Sequence, residues 1–142
     1  MNPTARRVLA VFAGLFASVG VILVIEGVSS ALHPPTPGLD LRDPEQLRVF
    51  IGSLPLSAFL LVLTAWVLGA FIGATVAIRI ARERPVTNAC VVGGVVGVAT
   101  VMNLTSLPHP VWMPYAAAVG IPLATWLAVR LAPNTLPPRR VG

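Results

Sequence analysis

Apolar residues run along this chain in long tracts with few interruptions. Residues 8–25 carry no formal charge, nor do 49–78 or 85–129. A membrane-crossing helix needs about 20 predominantly apolar residues, so the first two tracts hold one span each and the third holds two. The third breaks at Ser106-Leu107-Pro108-His109-Pro110-Val111-Trp112, where two prolines and a histidine interrupt the pattern. The pattern therefore predicts an all-α polytopic membrane protein. It is a single membrane domain over 1–142, a four-helix transmembrane bundle with spans at about 8–32, 55–80, 88–104 and 110–131.

The polar breaks predict how the spans are joined. Span one can stay helical through His33, but Pro34 stops it by lacking an N–H and crowding the preceding turn. An outer linker over 34–54 follows. Within it, Asp43-Pro44-Glu45-Gln46 has the form of a helix start, with Asp at the N-cap, Pro at the first helical position and Gln at the third. Leu47, Phe50, Ile51 and Leu54 then recur on one face. That amphipathicity predicts a short helix lying in the outer interface before span two. The alternative is a continuous extension of span two, bent at Pro55, since proline is tolerated in membrane helices. Pro122, in the middle of span four, should kink it. Trp112 and Tyr115 suit an interfacial aromatic belt.

Composition strengthens the reading and charge orients it. The chain is 56% hydrophobic and 11% charged, against about 25% charged in soluble domains. Its basic residues are all arginine. Arg6, Arg7, Arg79, Arg82, Arg84, Arg130, Arg139 and Arg140 fall on one side of the predicted spans, and only Arg42 and Arg48 on the other. Cytoplasmic loops carry the excess of basic residues, which predicts both termini, including a tail over 133–142, in the cytoplasm. The absence of lysine suggests a G+C-rich bacterial genome, so the expected location is the bacterial cytoplasmic (inner) membrane, multi-pass. The net charge of +5 is then topology and not a nucleic-acid surface, because the arginines sit at helix ends and form no basic groove. The apolar stretch of span one exceeds the ~7–15 residues of a signal-peptide core, so an uncleaved first helix is expected. The single Cys90 excludes an intrachain disulfide and suits a small packed residue.

Each span carries small residues four apart: Ala10, Gly14 and Ser18; Ala65, Gly69, Gly73 and Ala77; Ala89, Gly93 and Gly97; Ala116, Gly120, Ala124 and Ala128. Helices associate in lipid through such close backbone approach. These faces predict tight packing within the bundle, and any spare face could meet a second copy or a membrane-complex partner.

Candidate chemistry gathers at the outer ends of spans one and three. Ser29, Ser30 and His33 lie on the helical face of Glu26, while Asn103 and His109 return to the same level. Glu26, His33, Asn103 and His109 could form a polar, proton-handling or ligand site, since histidine titrates near neutrality. Glu26, His33 and His109 are also a possible ligand set for a divalent transition metal, and the two histidines could hold a haem. The competing reading is structural: a carboxylate snorkelling to water, and His-Pro turns as punctuation. Ionisable residues inside membranes are functional by default, which favours a role for Glu26. For each histidine alone, turn punctuation is favoured. Trp66 is expected to pack. No phosphate loop, nucleophile elbow or hydrolase carboxylate pair occurs, so an enzyme is not favoured.

The Glu26 to His33-Pro34-Pro35 end of span one, the Leu54-Pro55 start of span two, Ala65-Trp66-Val67-Leu68-Gly69-Ala70-Phe71-Ile72-Gly73-Ala74-Thr75-Val76-Ala77 and Asn103-Leu104-Thr105-Ser106-Leu107-Pro108-His109-Pro110-Val111-Trp112 together resemble a family of small, uncharacterised bacterial four-span inner-membrane proteins. The resemblance covers most of 8–132 and implies the same architecture; the family has no established activity to carry over. The expected function is a non-enzymatic, membrane-embedded binding or accessory component with the lipid bilayer as its medium. The alternatives are a small proton-linked transporter or channel using Glu26, and a metal- or haem-binding membrane protein.

Overall fold

The computed structural model describes residues 2–82 and 84–132, so the predicted cytoplasmic tail, with Arg139 and Arg140, lies outside the described residues. The described chain is all helical: α1 (Pro3–Leu32), α2 (Pro44–Ser53), α3 (Leu56–Ala81), α4 (Pro85–Ser106) and α5 (Met113–Leu131). All but α2 are long and apolar enough to cross a membrane.

Local chemistry sets the helix ends. α1 begins earlier than its apolar tract because Asn2 accepts a hydrogen bond from the Thr4 N–H (3.0 Å) ahead of Pro3. It ends at Leu32, where non-helical His33 donates its backbone N–H to the Ser29 carbonyl. α2 is a separate helix, which decides between the two readings of this segment: Leu54 and Pro55 are both extended and part it from α3. Asp43 caps it through the Glu45 N–H (2.9 Å). Gln46 does not reach back to the Asp43 N–H as in a capping box. Its side-chain amide donates to Asp43 Oδ2 (2.9 Å) and its oxygen accepts from the Asp40 N–H (3.0 Å), which ties the linker to the helix start. α3 and α4 are joined by a reversal at which Arg82 and Arg84 both take left-handed backbone (φ 59° and 46°). α5 runs on through Pro122.

α3 is the axis of the bundle, packing against α1, α4 and α5. Its contact with α1 is an antiparallel seam, in one register from Arg6–Ala81 through Gly14–Gly73 to Ser18–Gly69. Arg6 Nε donates to the Ala81 carbonyl (3.1 Å) at one end, Ser18 Oγ to the Gly69 carbonyl (2.9 Å) in the middle, and His33 meets Ser57 at the other end. On α3 the contacts fall on Ser57, Gly69, Gly73, Ala77 and Ala81, members of one row at every fourth residue. On α1 they fall on Arg6, Gly14, Ser18 and Ile22, again one such row. Interlocking every-fourth rows with small residues at the crossing is the geometry by which membrane helices bring backbones together. The approach needs glycine. A Cβ on Gly14 would stand 2.5 Å from the Gly73 carbonyl oxygen, and one on Gly73 would be 2.6 Å from that of Gly14.

The other small-residue rows are also used inside the molecule, in part. Gly93 of α4 faces Thr125 of α5, and Gly120 of α5 faces Val67 of α3. Gly94 and Gly97 face open space. Cys90 does not pack as expected but is exposed. The buried face of α4 is carried by Asn88, Ala89, Val92, Gly93, Val96 and Thr100, and Cys90 is turned about 100° from Ala89 around the helix.

At the end opposite Arg6 and Arg82, Ile51 of α2 joins the core of Phe59, Trp66 and Met113, with Leu47, Phe50 and Leu54 packed against it. The predicted apolar face of α2 is therefore applied to the bundle itself. Away from these contacts α1 presents Phe12, Phe16, Val19 and Leu23 outward, Phe16 at 82% exposure. So long an exposed apolar face is foreign to soluble monomers.

Candidate functional site

The predicted residues reach one end of the bundle but do not converge. His33, which caps α1, accepts or donates at Nε2 with Ser57 Oγ (3.2 Å) and approaches the Ser29 carbonyl through Nδ1 (3.1 Å). A carbonyl can only accept, so Nδ1 carries the proton in that bond. His109 likewise donates from Nδ1 to the Leu107 carbonyl (2.8 Å). Its ring packs on Trp66 and Phe59, with centroids 6.0 and 6.3 Å away. Trp66 is thus a packing residue, 4% exposed.

Ser57 and Phe59 are two residues apart on α3 and therefore about 200° apart around it. The exposed Ser57 faces His33, while the buried Phe59 faces His109. α3 stands between the two histidines.

Glu26 continues the row of Gly14, Ser18 and Ile22 along α1. It is half-buried, with no hydrogen bond or ion pair among the described residues. His33 lies seven residues on, about 10 Å along the helix, whereas metal–ligand bonds are ~2 Å. Among the described residues no three His, Cys, Asp or Glu gather so as to hold a metal ion, so the expected Glu26–His33–His109 ligand set is not assembled. Asn103 sits half-buried in the last turn of α4, where its carbonyl accepts from the Leu107 N–H (3.1 Å). The nearby polar stripe is largely satisfied by its own helix: Ser106 Oγ donates to the Met102 carbonyl (2.7 Å) and Thr105 Oγ1 to that of Val101 (3.0 Å).

A large concavity lies elsewhere. A groove of about 990 Å³ opens sideways between α4 and α5. Gly93, Gly94 and Gly97 hollow its α4 wall, and Ala118, Ile121 and Pro122 form part of its α5 wall. The groove is lined mainly by apolar groups. Thr125 spends its hydroxyl on the Ile121 carbonyl (2.9 Å) of its own helix. At the arginine end of the groove Arg130 stacks over Trp126, 5.1 Å from the ring centroid. A smaller hollow of about 300 Å³ lies between the starts of α1 and α4, beside Arg7, whose buried Nε has no hydrogen-bond partner among the described residues.

The sequence reading missed this groove by following ionisable residues. The available signal was an excess of small residues: Gly93, Gly94 and Gly97 are more than one helix seam can use. Compared with family models, with curated proteins and with solved structures, the chain matches none.

Proposed function

We propose that this chain is a multi-pass protein of the bacterial cytoplasmic membrane, both termini inside, acting as a non-enzymatic binding or accessory component that engages its ligand or partner from the side. The resemblance to small four-span bacterial membrane proteins belongs to the same proposal. The α4/α5 groove carries the reading, because it is large, apolar and open laterally. Ligand sites are concave, mostly apolar and largely preformed. The arginines support the orientation: Arg6 meets the end of α3, Arg82 and Arg84 flank the α3–α4 reversal, and Arg130 ends α5, all at one end of the bundle.

A second reading is favoured by one observation, the half-buried Glu26 within α1, which has no hydrogen bond or ion pair among the described residues. It is a small proton-linked transporter or channel. Proton flux through proteoliposomes separates the two. The binding reading expects no flux that depends on Glu26, and a wild-type flux abolished in Glu26→Gln would replace it with the transporter. A fluorescent protein fused to the C-terminus should mature, as a cytoplasmic terminus requires.

A further inference from the structure

We infer that the α4/α5 groove seats an acyl chain of an anionic phospholipid whose headgroup pairs with Arg130. This deepens the membrane-binding reading and rests on it.

The groove has the polarity of such a molecule. Among its described lining residues Arg130 alone carries a formal charge, and no carboxylate accompanies it. That charge lies at one end, in the last turn of α5 opposite Val86 in the first turn of α4. Beyond it the walls are glycine, alanine, aliphatic side chains and proline, with Cys90 and Trp126, and with threonines turned to their own helix where their bonds are seen. A cation over an apolar trough complements an anionic head on a hydrocarbon tail. Trp126 holds the Arg130 guanidinium at the mouth by cation–π stacking, and that contact with the ring face leaves its N–H groups able to point at a phosphate.

The dimensions agree. From Val86 to Gly97 is about 16 Å of helix at 1.5 Å per residue, close to half of the ~30 Å hydrocarbon core. A chain anchored at Arg130 therefore ends near the glycine patch where Gly94 and Gly97 leave open space. The groove continues to Thr105, about 28 Å from Val86. That length suits an extended hydrocarbon chain.

The test uses the full chain in bilayers of phosphatidylcholine with a minority of phosphatidylglycerol, the bromine-labelled acyl chain being placed on one lipid or the other. Bromine quenches indole emission on contact, and the difference between wild type and Trp126→Phe isolates Trp126. The expected result is stronger quenching of Trp126 by brominated phosphatidylglycerol than by brominated phosphatidylcholine at equal mole fraction. The preference should be about five-fold, the worth of one arginine at an anionic surface. Arg130→Gln should remove the preference, and Gly97→Leu, which fills the trough, should reduce quenching by both lipids with helicity unchanged. Equal quenching by the two lipids, or a preference that survives Arg130→Gln, overturns the inference. So does efficient Cys90–Cys90 crosslinking without lipid preference, which would assign the groove to a second copy. Failure of the protein to float with the vesicles overturns the membrane reading as well, whereas flotation without preference overturns the lipid seat alone.

Discussion

Ser18 Oγ lies between two carbonyls, that of Gly69 across the seam at 2.9 Å and that of Gly14 on its own helix at 3.1 Å. The hydroxyl sits at the centre of the contact, flanked by Gly14, Gly69 and Gly73. Removing it in Ser18→Ala leaves the Gly69 carbonyl without its extra donor but opens little space. Interhelical hydrogen bonds in membrane proteins average about 0.6 kcal/mol and reach ~1.7. Ser18→Ala should fall in that range in reversible unfolding from mixed micelles. A larger loss would mean that the hydroxyl supports more than this pair of helices.

The glycines flanking it should be far less forgiving. Gly14→Ala and Gly73→Ala each place a methyl against backbone oxygen, which cannot turn aside as a side-chain tip could. Overpacking of this kind costs about 1–3 kcal/mol. Gly94→Ala and Gly97→Ala add a methyl to open space and should change stability by less than about 0.5 kcal/mol. Thermal unfolding of the four variants side by side checks the contrast. Equal effects at all four positions would refute the assigned seam.

Acid should loosen α2 before the bundle. The Gln46 side-chain amide, then the Glu45 N–H, hold the Asp43 carboxyl below the usual aspartate range. A depressed folded pKa stabilises the folded form fully above the unfolded pKa and stops doing so as pH falls through the folded value. Amide-exchange protection of α2, corrected for intrinsic rates, should therefore be retained at neutrality and lost below the ordinary aspartate pKa. Asp43→Ala should show the low-pH behaviour at every pH. The helices of the seam, with no part in this cap, should keep their protection over the same range.

Stability should not depend on a metal shared by Glu26, His33 and His109. With α3 between the histidines, chelator treatment should leave the unfolding temperature unchanged. Any zinc uptake should not fall in parallel in Glu26→Gln, His33→Ala and His109→Ala. Parallel loss in all three, measured by elemental analysis, would restore the joint site and require α1 and α5 to rearrange.

A good part of the fold was readable in the residues because it depends on local chemistry. Runs of apolar residues longer than one membrane thickness mark the long helices. Asp43-Pro44 starts α2, and the Leu54-Pro55 step, where proline restricts the residue before it, ends it. The candidate site was legible only as a level. The sequence placed Glu26, His33, Asn103 and His109 towards one end, and both histidines do meet the first turns of α3. It could not show that Ser57 and Phe59 turn them to opposite sides, nor that Cys90 faces out and Gly94 and Gly97 line a groove. Periodicity reports which residues share a face on one helix. In a soluble protein the apolar face identifies the buried side, but where lipid-facing and protein-facing surfaces are both apolar that distinction disappears. Which small-residue row meets which helix is then decided by how four backbones fit together, and that is a property of the tertiary structure alone.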